Sequence, residues 1–156
     1  MRNESGLTII ELMVVIAITA IVVAFAVPNM LGWRENSKFN GTVENLRGDL
    51  NLAKIMAVRE NGFVAVQFFG NRYQVFTDNT GFCVLDAGER LIRNQVLPAG
   101  VAIDLGLTAF PLNVDDDCAR FNERGLPVNI GKVVIVGTGG DSRTIDLNRL
   151  GRIDVQ

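Results

Sequence analysis

The side chains that could do chemistry in this chain are few. They are Cys83 and Cys118, a triplet of aspartates, a scatter of arginines near the C-terminus, and Glu11 inside an apolar run. Histidine is absent, which removes the commonest general base and the commonest metal ligand. No nucleophile motif replaces it, so an enzyme is not expected. The two cysteines stay inert thiols in a reducing compartment. In an oxidising one they form a bridge closing a loop of about 36 residues, worth roughly 4 kcal/mol in the chain-entropy picture. They lack the C-x-x-C spacing of a redox pair, and two thiolates without histidine do not complete a structural zinc site.

Asp115-Asp116-Asp117 lacks the alternating oxygen spacing and central glycine of a calcium loop, and reads as a solvated loop tip. Gly137-Thr138-Gly139-Gly140-Asp141 lacks the Lys-Ser/Thr ending of a phosphate loop and follows a strand without opening a helix, so it reads as a hairpin turn. No metal or cofactor is expected. With 15 Lys+Arg against 17 Asp+Glu, the net charge of −2 gives no long-range attraction for nucleic acid. Arg143, Arg149 and Arg152 form the one local basic group of interest. Their plain reading is an edge strand whose cations discourage strand pairing.

The element that carries Glu11 is the most distinctive in the chain. From Leu12 to Val27 the only polar residue is Thr19. Extended to Leu7 and Leu31, the run reaches the ~20 residues that cross a bilayer as a helix. A secretory signal peptide would end in small residues at a cleavage site, whereas this run passes into Pro28-Asn29-Met30-Leu31-Gly32-Trp33. A plain anchor has no use for Glu11, because a carboxylate in an apolar segment costs several kcal/mol unless paired or neutralised.

Beyond Gly32 the helical pattern continues. Phe39, Val43, Leu46, Leu50, Ala53 and Ala57 recur at spacings of four and three, the apolar stripe of an amphipathic helix. Asn61-Gly62 is a helix stop, so one helix is expected from about Thr8 to Glu60. Pro28, Gly32, Gly41 and Gly48 weaken it locally. Strand signals follow at Phe63 to Phe69, Tyr73 to Thr77, Arg90 to Val96, Val101 to Leu105, Lys132 to Val136, Arg143 to Leu147 and Arg152 to Val155. Gly70-Asn71 is the first hairpin turn, and Asp78-Asn79-Thr80-Gly81 is a turn cluster. Residues 106–117 carry the least pattern and are expected to be a surface loop. The expected fold is α+β, a long helix packed on an antiparallel sheet.

Met1-Arg2-Asn3-Glu4-Ser5-Gly6 followed by Leu7-Thr8-Ile9-Ile10-Glu11 resembles the class III signal of type IV prepilins and type II secretion pseudopilins. The resemblance implies cleavage after Gly6 by a prepilin peptidase and N-methylation of Leu7, where the family usually has Phe. It places the family's glutamate on Glu11 and its proline on Pro28, both as assembly residues. Three shorter segments resemble the GspH/FimT group of minor pilins and pseudopilins. They are Ala53-Lys54-Ile55-Met56-Ala57, Phe121-Asn122-Glu123-Arg124-Gly125 and Leu150-Gly151-Arg152-Ile153.

The resemblance implies a leader at 1–6, a transmembrane and assembly half-helix at 7–31, an amphipathic half at 32–61 and a β-rich periplasmic head at 62–156. It implies a single-pass protein of the bacterial inner membrane that enters a pilus or pseudopilus, at its tip or initiation complex. Its partners would be the peptidase, other pilins or pseudopilins, the inner-membrane assembly platform and membrane lipid. A periplasmic head favours the Cys83–Cys118 bridge. Some members of the group bind DNA through a C-terminal G-R-x-R motif. Here Asp154 stands where the second arginine would be, which leaves Arg149 and Arg152 as weak contacts at most. Nucleic acid is the alternative partner and not the expected one.

Overall fold

The computed structural model describes residues 8–111 and 117–156, with the backbone alone for 26–29 and 31. Helix α1 runs Ile9–Glu60. Its start is a capping arrangement: the Thr8 hydroxyl oxygen accepts the Glu11 N–H at 3.3 Å, and the Thr8 carbonyl accepts the Leu12 N–H at 3.2 Å. These satisfy two donors that a helix start would otherwise leave open. The helix stops by a Schellman closure. Gly62 N–H donates to Ala57 O at 3.1 Å and Asn61 N–H to Val58 O at 3.3 Å. The left-handed residue is Asn61, at φ 48°, and not the glycine that follows it.

The chain divides into two compact units, Met1–Ser37 and Lys38–Gln156. In the first, every described side chain is exposed, from Ile9 at 82% to Phe25 at 77% and Trp33 at 69%. Among the described residues, no helix is long and apolar enough to cross a membrane.

The second unit holds the core. Phe39, Val43, Leu46, Leu50, Ala53 and Ala57 of α1 are all buried, as the sequence spacing predicts. Each large aliphatic on that stripe contributes roughly 1.5–3 kcal/mol of burial. They pack into one cluster with residues of two antiparallel sheets. The first sheet has the order β3-β2-β1-β5, from β1 (Val64–Phe69), β2 (Arg72–Thr77), β3 (Leu91–Val96) and β5 (Cys118–Phe121). The second has the order β4-β6-β7-β8, from β4 (Val101–Ile103), β6 (Gly131–Gly137), β7 (Ser142–Leu147) and β8 (Ile153–Val155). Ile103 N–H donates to Gly70 O at 3.0 Å, tying the second sheet to the β1–β2 turn of the first.

Three features differ from the sequence expectation. The strands form two sheets and not one, and the sequence pattern missed β5. Part of the expected loop at 106–117 is core instead. Phe110 is fully buried and stacks on Phe68 with ring centroids 5.4 Å apart. Ala109 bridges Lys132, and the buried Thr108 hydroxyl accepts the Val134 N–H at 3.2 Å. Burial of one aromatic ring and pairing of the backbone overrode the weak local pattern.

Candidate functional site

Of the processing residues, Gly6 and Leu7 lie outside the described residues, as does the side chain of Pro28, whose backbone lies within α1. Glu11 is in the first helical turn and exposed, where a carboxylate favours the positive end of the helix dipole. None of the ion pairs among the described residues involves it.

The three short motif segments meet around Lys54. Its ammonium donates to Gly151 O at 3.1 Å, and the carbons of its stem lie against Gly125. Gly125 and Gly151 each occupy a turn of the same construction. The Asn122 side-chain oxygen accepts the N–H groups of Arg124 and Leu126, both at 3.0 Å. The Asn148 side-chain oxygen accepts those of Leu150 and Arg152, also at 3.0 Å. The glycine three residues on stands at φ +70° in one turn and +74° in the other, and a Cβ at Gly125 would sit 3.0 Å from Val58 Cγ2. The left-handed backbone and the tight contact together favour glycine over any residue with a side chain. The paired Asn-x-x-Gly spacing was the available sequence signal for these turns, and the motif reading passed over the two asparagines.

Lys54 thus holds the helix to the turn after β5 and the turn before β8. Lys54→Met keeps the apolar stem and removes the charged hydrogen bond. The expected cost is about 1–2 kcal/mol, read as a lower Tm of the full chain in detergent, while Lys54→Arg should restore most of it.

A second buried polar group pins the helix to the first sheet. Asp49 accepts from Tyr73 Oη at 2.6 Å and is paired with Arg93. Burial, then the bond to Asp49, push the Tyr73 phenol well above its ordinary range. The Asp49 contact likewise raises the Arg93 guanidinium. Asp49 and Tyr73 are paired inside the helix–sheet interface and the half-exposed Arg93 closes the network from its edge, an arrangement that ties helix to sheet.

Cys83 and Cys118 are disulfide-bonded, with Cα atoms 6.2 Å apart. The bridge fastens the 78–90 connection to β5. Asp78 accepts the Gly81 N–H at 2.8 Å, and Arg120 Nε lies 2.6 Å from Asp78 Oδ2 in a buried ion pair whose N–H is not aimed at the oxygen. The Arg120 guanidinium covers the Phe63 ring at 4.0 Å. Glu89 closes the connection, accepting N–H bonds from Asn79 at 2.8 Å, Thr80 at 3.3 Å and Asp86 at 3.1 Å.

Burial pushes the Glu89 carboxyl up, but the bonds from Asp86, Thr80 and Asn79 together outweigh it, so its pKa is lowered. A lowered folded-state value means that Glu89 stabilises the connection above the ordinary glutamate range of about 4.3 and loses that effect as pH falls through the folded value. NMR titration should place the Glu89 midpoint below that of an unstructured glutamate. The Asn79 and Asp86 amides should shift with it, and Glu89→Gln should abolish their response.

The remaining sequence candidates are of lesser chemical interest. Asp115 and Asp116 lie outside the described residues. Gly137 to Asp141 closes the β6–β7 hairpin, with Gly137 N–H donating to Asp141 O at 2.8 Å. Arg152 Nε is bonded to Asp154 Oδ1 at 2.8 Å, and Arg149 is exposed one turn away. Among the described residues, no group of three acidic or cysteine side chains could hold a metal.

Comparison with known proteins places these features. The family described as type II transport protein GspH matches residues 42–151, and the prokaryotic N-terminal methylation motif matches residues 1–27. The first span contains the first two segments gathered at Lys54 and ends on Gly151, within the third. The chain is 33% identical over 67 residues to the type IV wide pilus major component PilA4 of Thermus thermophilus, covering 43% of this chain and 51% of that protein, or about half its length. The fold resembles the type IV minor pilin FimU of Pseudomonas aeruginosa, with a TM-score of 0.57 at 17% identity, covering 80% of this chain and 92% of that one. It also resembles the minor pseudopilin EpsH from the type 2 secretion system of Vibrio cholerae, with a TM-score of 0.56 at 12% identity, covering 76% and 96%.

Proposed function

Because this chain belongs to the GspH family of type IV pilin-like minor pilins and pseudopilins, we propose that it is a filament subunit made as a prepilin. In this reading a prepilin peptidase cuts after Gly6 and Leu7 is N-methylated. The apolar start of α1 anchors the subunit in the inner membrane before assembly, with the head in the periplasm. The subunit then joins the tip or initiation complex of a type IV pilus or a type II secretion pseudopilus, through an assembly platform and neighbouring pilins. The observation that carries the reading is the joint match of the methylation motif at 1–27 and the family span at 42–151.

The exposure pattern supports an apolar destination for the N-terminal part. From Ile9 to Phe25 the side chains are apolar except for Glu11 and Thr19, and all are exposed in the isolated chain. A contiguous apolar surface of that kind is not stable in water and calls for lipid or other apolar helices around it. The DNA-binding alternative draws no support from the C-terminus, where Arg152 is already engaged by Asp154.

The test is a deletion strain scored side by side for surface pili and for secreted enzymes in the medium. Loss of pili with normal secretion assigns the subunit to a pilus, and loss of secretion with normal pili assigns it to a pseudopilus. Normal pili together with normal secretion would overturn the reading.

A further inference from the structure

The outer side of the Lys54 junction carries a groove of about 470 Å³, lined by Ile55 and Val58 of α1 with Arg59 and Arg124 beside them. Ile55 is 63% exposed and Val58 52%, while Ala53 and Ala57 on the same turns are buried. Leu150, on the second of the two matching turns, is 80% exposed. Arg59, Arg124 and Arg149 are also exposed. Among the described residues, Glu60 is held by Arg90 at 2.6 Å and Asp154 by Arg152 at 2.8 Å, and Glu123 on the first turn is exposed. The result is an apolar floor with a cationic rim, on a chain whose net charge is −2.

We propose that this groove docks a segment of another protein subunit that carries aliphatic side chains flanked by carboxylates. The aliphatic group fills the floor over Ile55 and Val58, and the carboxylates meet Arg59 and Arg124. The sign of the partner follows from charge complementarity, and its apolar content follows from the floor. A nucleic acid fits less well. Among the described residues no aromatic ring lines the groove for a base to stack on, and phosphates would leave the aliphatic floor uncovered. The partner's being a filament subunit rests on the proposed function, whereas the chemistry of the groove does not.

The experiment uses the full chain in lipid nanodiscs and fluorescent peptides read by anisotropy. One peptide alternates Leu with Glu, and the controls alternate Leu with Ser and Ser with Glu. Labelled duplex DNA is a fourth probe. The Leu/Glu peptide is expected to bind at least about tenfold more tightly than either control. Arg59→Glu with Arg124→Glu should weaken it by about tenfold and create affinity for a Leu/Lys peptide. Ile55→Ser, at a position exposed enough to spare the fold, should weaken it without changing the salt dependence. Equal binding of the three peptides, indifference to the charge reversal, or DNA binding more tightly than the Leu/Glu peptide would each overturn the proposal. Peptide binding does not depend on filament assembly, so failure of the filament reading would show in the deletion strain and not in this assay.

Discussion

Glu11→Ala is expected to abolish incorporation of the subunit into filaments while leaving its membrane insertion intact. The carboxylate stands in the first turn of α1, within an otherwise apolar run, and takes part in no ion pair among the described residues. In an apolar surrounding, an unpaired carboxylate costs several kcal/mol. Cleavage after Gly6 would free an amine on Leu7. In the proposed filament the Leu7 ammonium of one subunit pairs with Glu11 of the next, which removes the penalty and fixes the stagger between neighbours. Alanine removes the partner of that amine and leaves the ammonium buried and unpaired, whereas membrane insertion becomes easier. Helix capping is unaffected, because Thr8 accepts the backbone N–H of residue 11 and not its side chain. Immunoblots of sheared filaments and of the membrane fraction separate the two outcomes. A Glu11→Ala subunit present in filaments at wild-type level would sink the pairing.

Gly131→Ala should destabilise the head by about 3 kcal/mol or more, among the larger single-methyl effects a core can show. A Cβ at Gly131 would lie 2.1 Å from Ala109 O and 2.6 Å from Phe110 Cδ1. Neither neighbour has room to yield. Ala109 O accepts the Lys132 N–H at 3.0 Å, and the Phe110 ring is fully buried against Phe68. The alternative to the clash is to lift the 107–110 segment off β6 and expose that ring. Gly48→Ala is the matched control: it sits in α1 with nothing within 4 Å of its would-be Cβ. It should stabilise by roughly 0.5–1 kcal/mol through helix propensity. Thermal unfolding of the two variants should move in opposite directions. A neutral Gly131→Ala would mean that residues 106–111 are the surface loop the sequence pattern suggests, and that the observed packing of Phe110 is incidental.

Legibility in the sequence followed the range of the interaction involved. The buried face of α1 was readable because Phe39, Val43, Leu46, Leu50, Ala53 and Ala57 repeat at helical spacing within one contiguous stretch. The helix stop was readable for the same local reason, although the left-handed role fell to Asn61 and not to Gly62. Most strands were found within a residue or two of their bounds, since alternation and turn residues flank each one. β5 escaped because four residues after an acidic run carry too little pattern. Its place is set by pairing with β1, Val64 opposite Phe121 and Gln67 opposite Cys118.

By itself, then, the sequence determined the N-terminal apolar run with its single carboxylate, the amphipathic helix, the α+β class and the three motif segments. All of these are patterns among near neighbours in the chain. Only the tertiary structure decided that the strands divide into two sheets, that Phe110 belongs to the core and that the motif segments share one residue. Lys54 and Gly151 lie 97 positions apart, and no local propensity relates residues at that distance. What joins them is a half-buried ammonium that needs an acceptor and two left-handed glycine turns packed close against it, and both exist only once helix and sheets have packed.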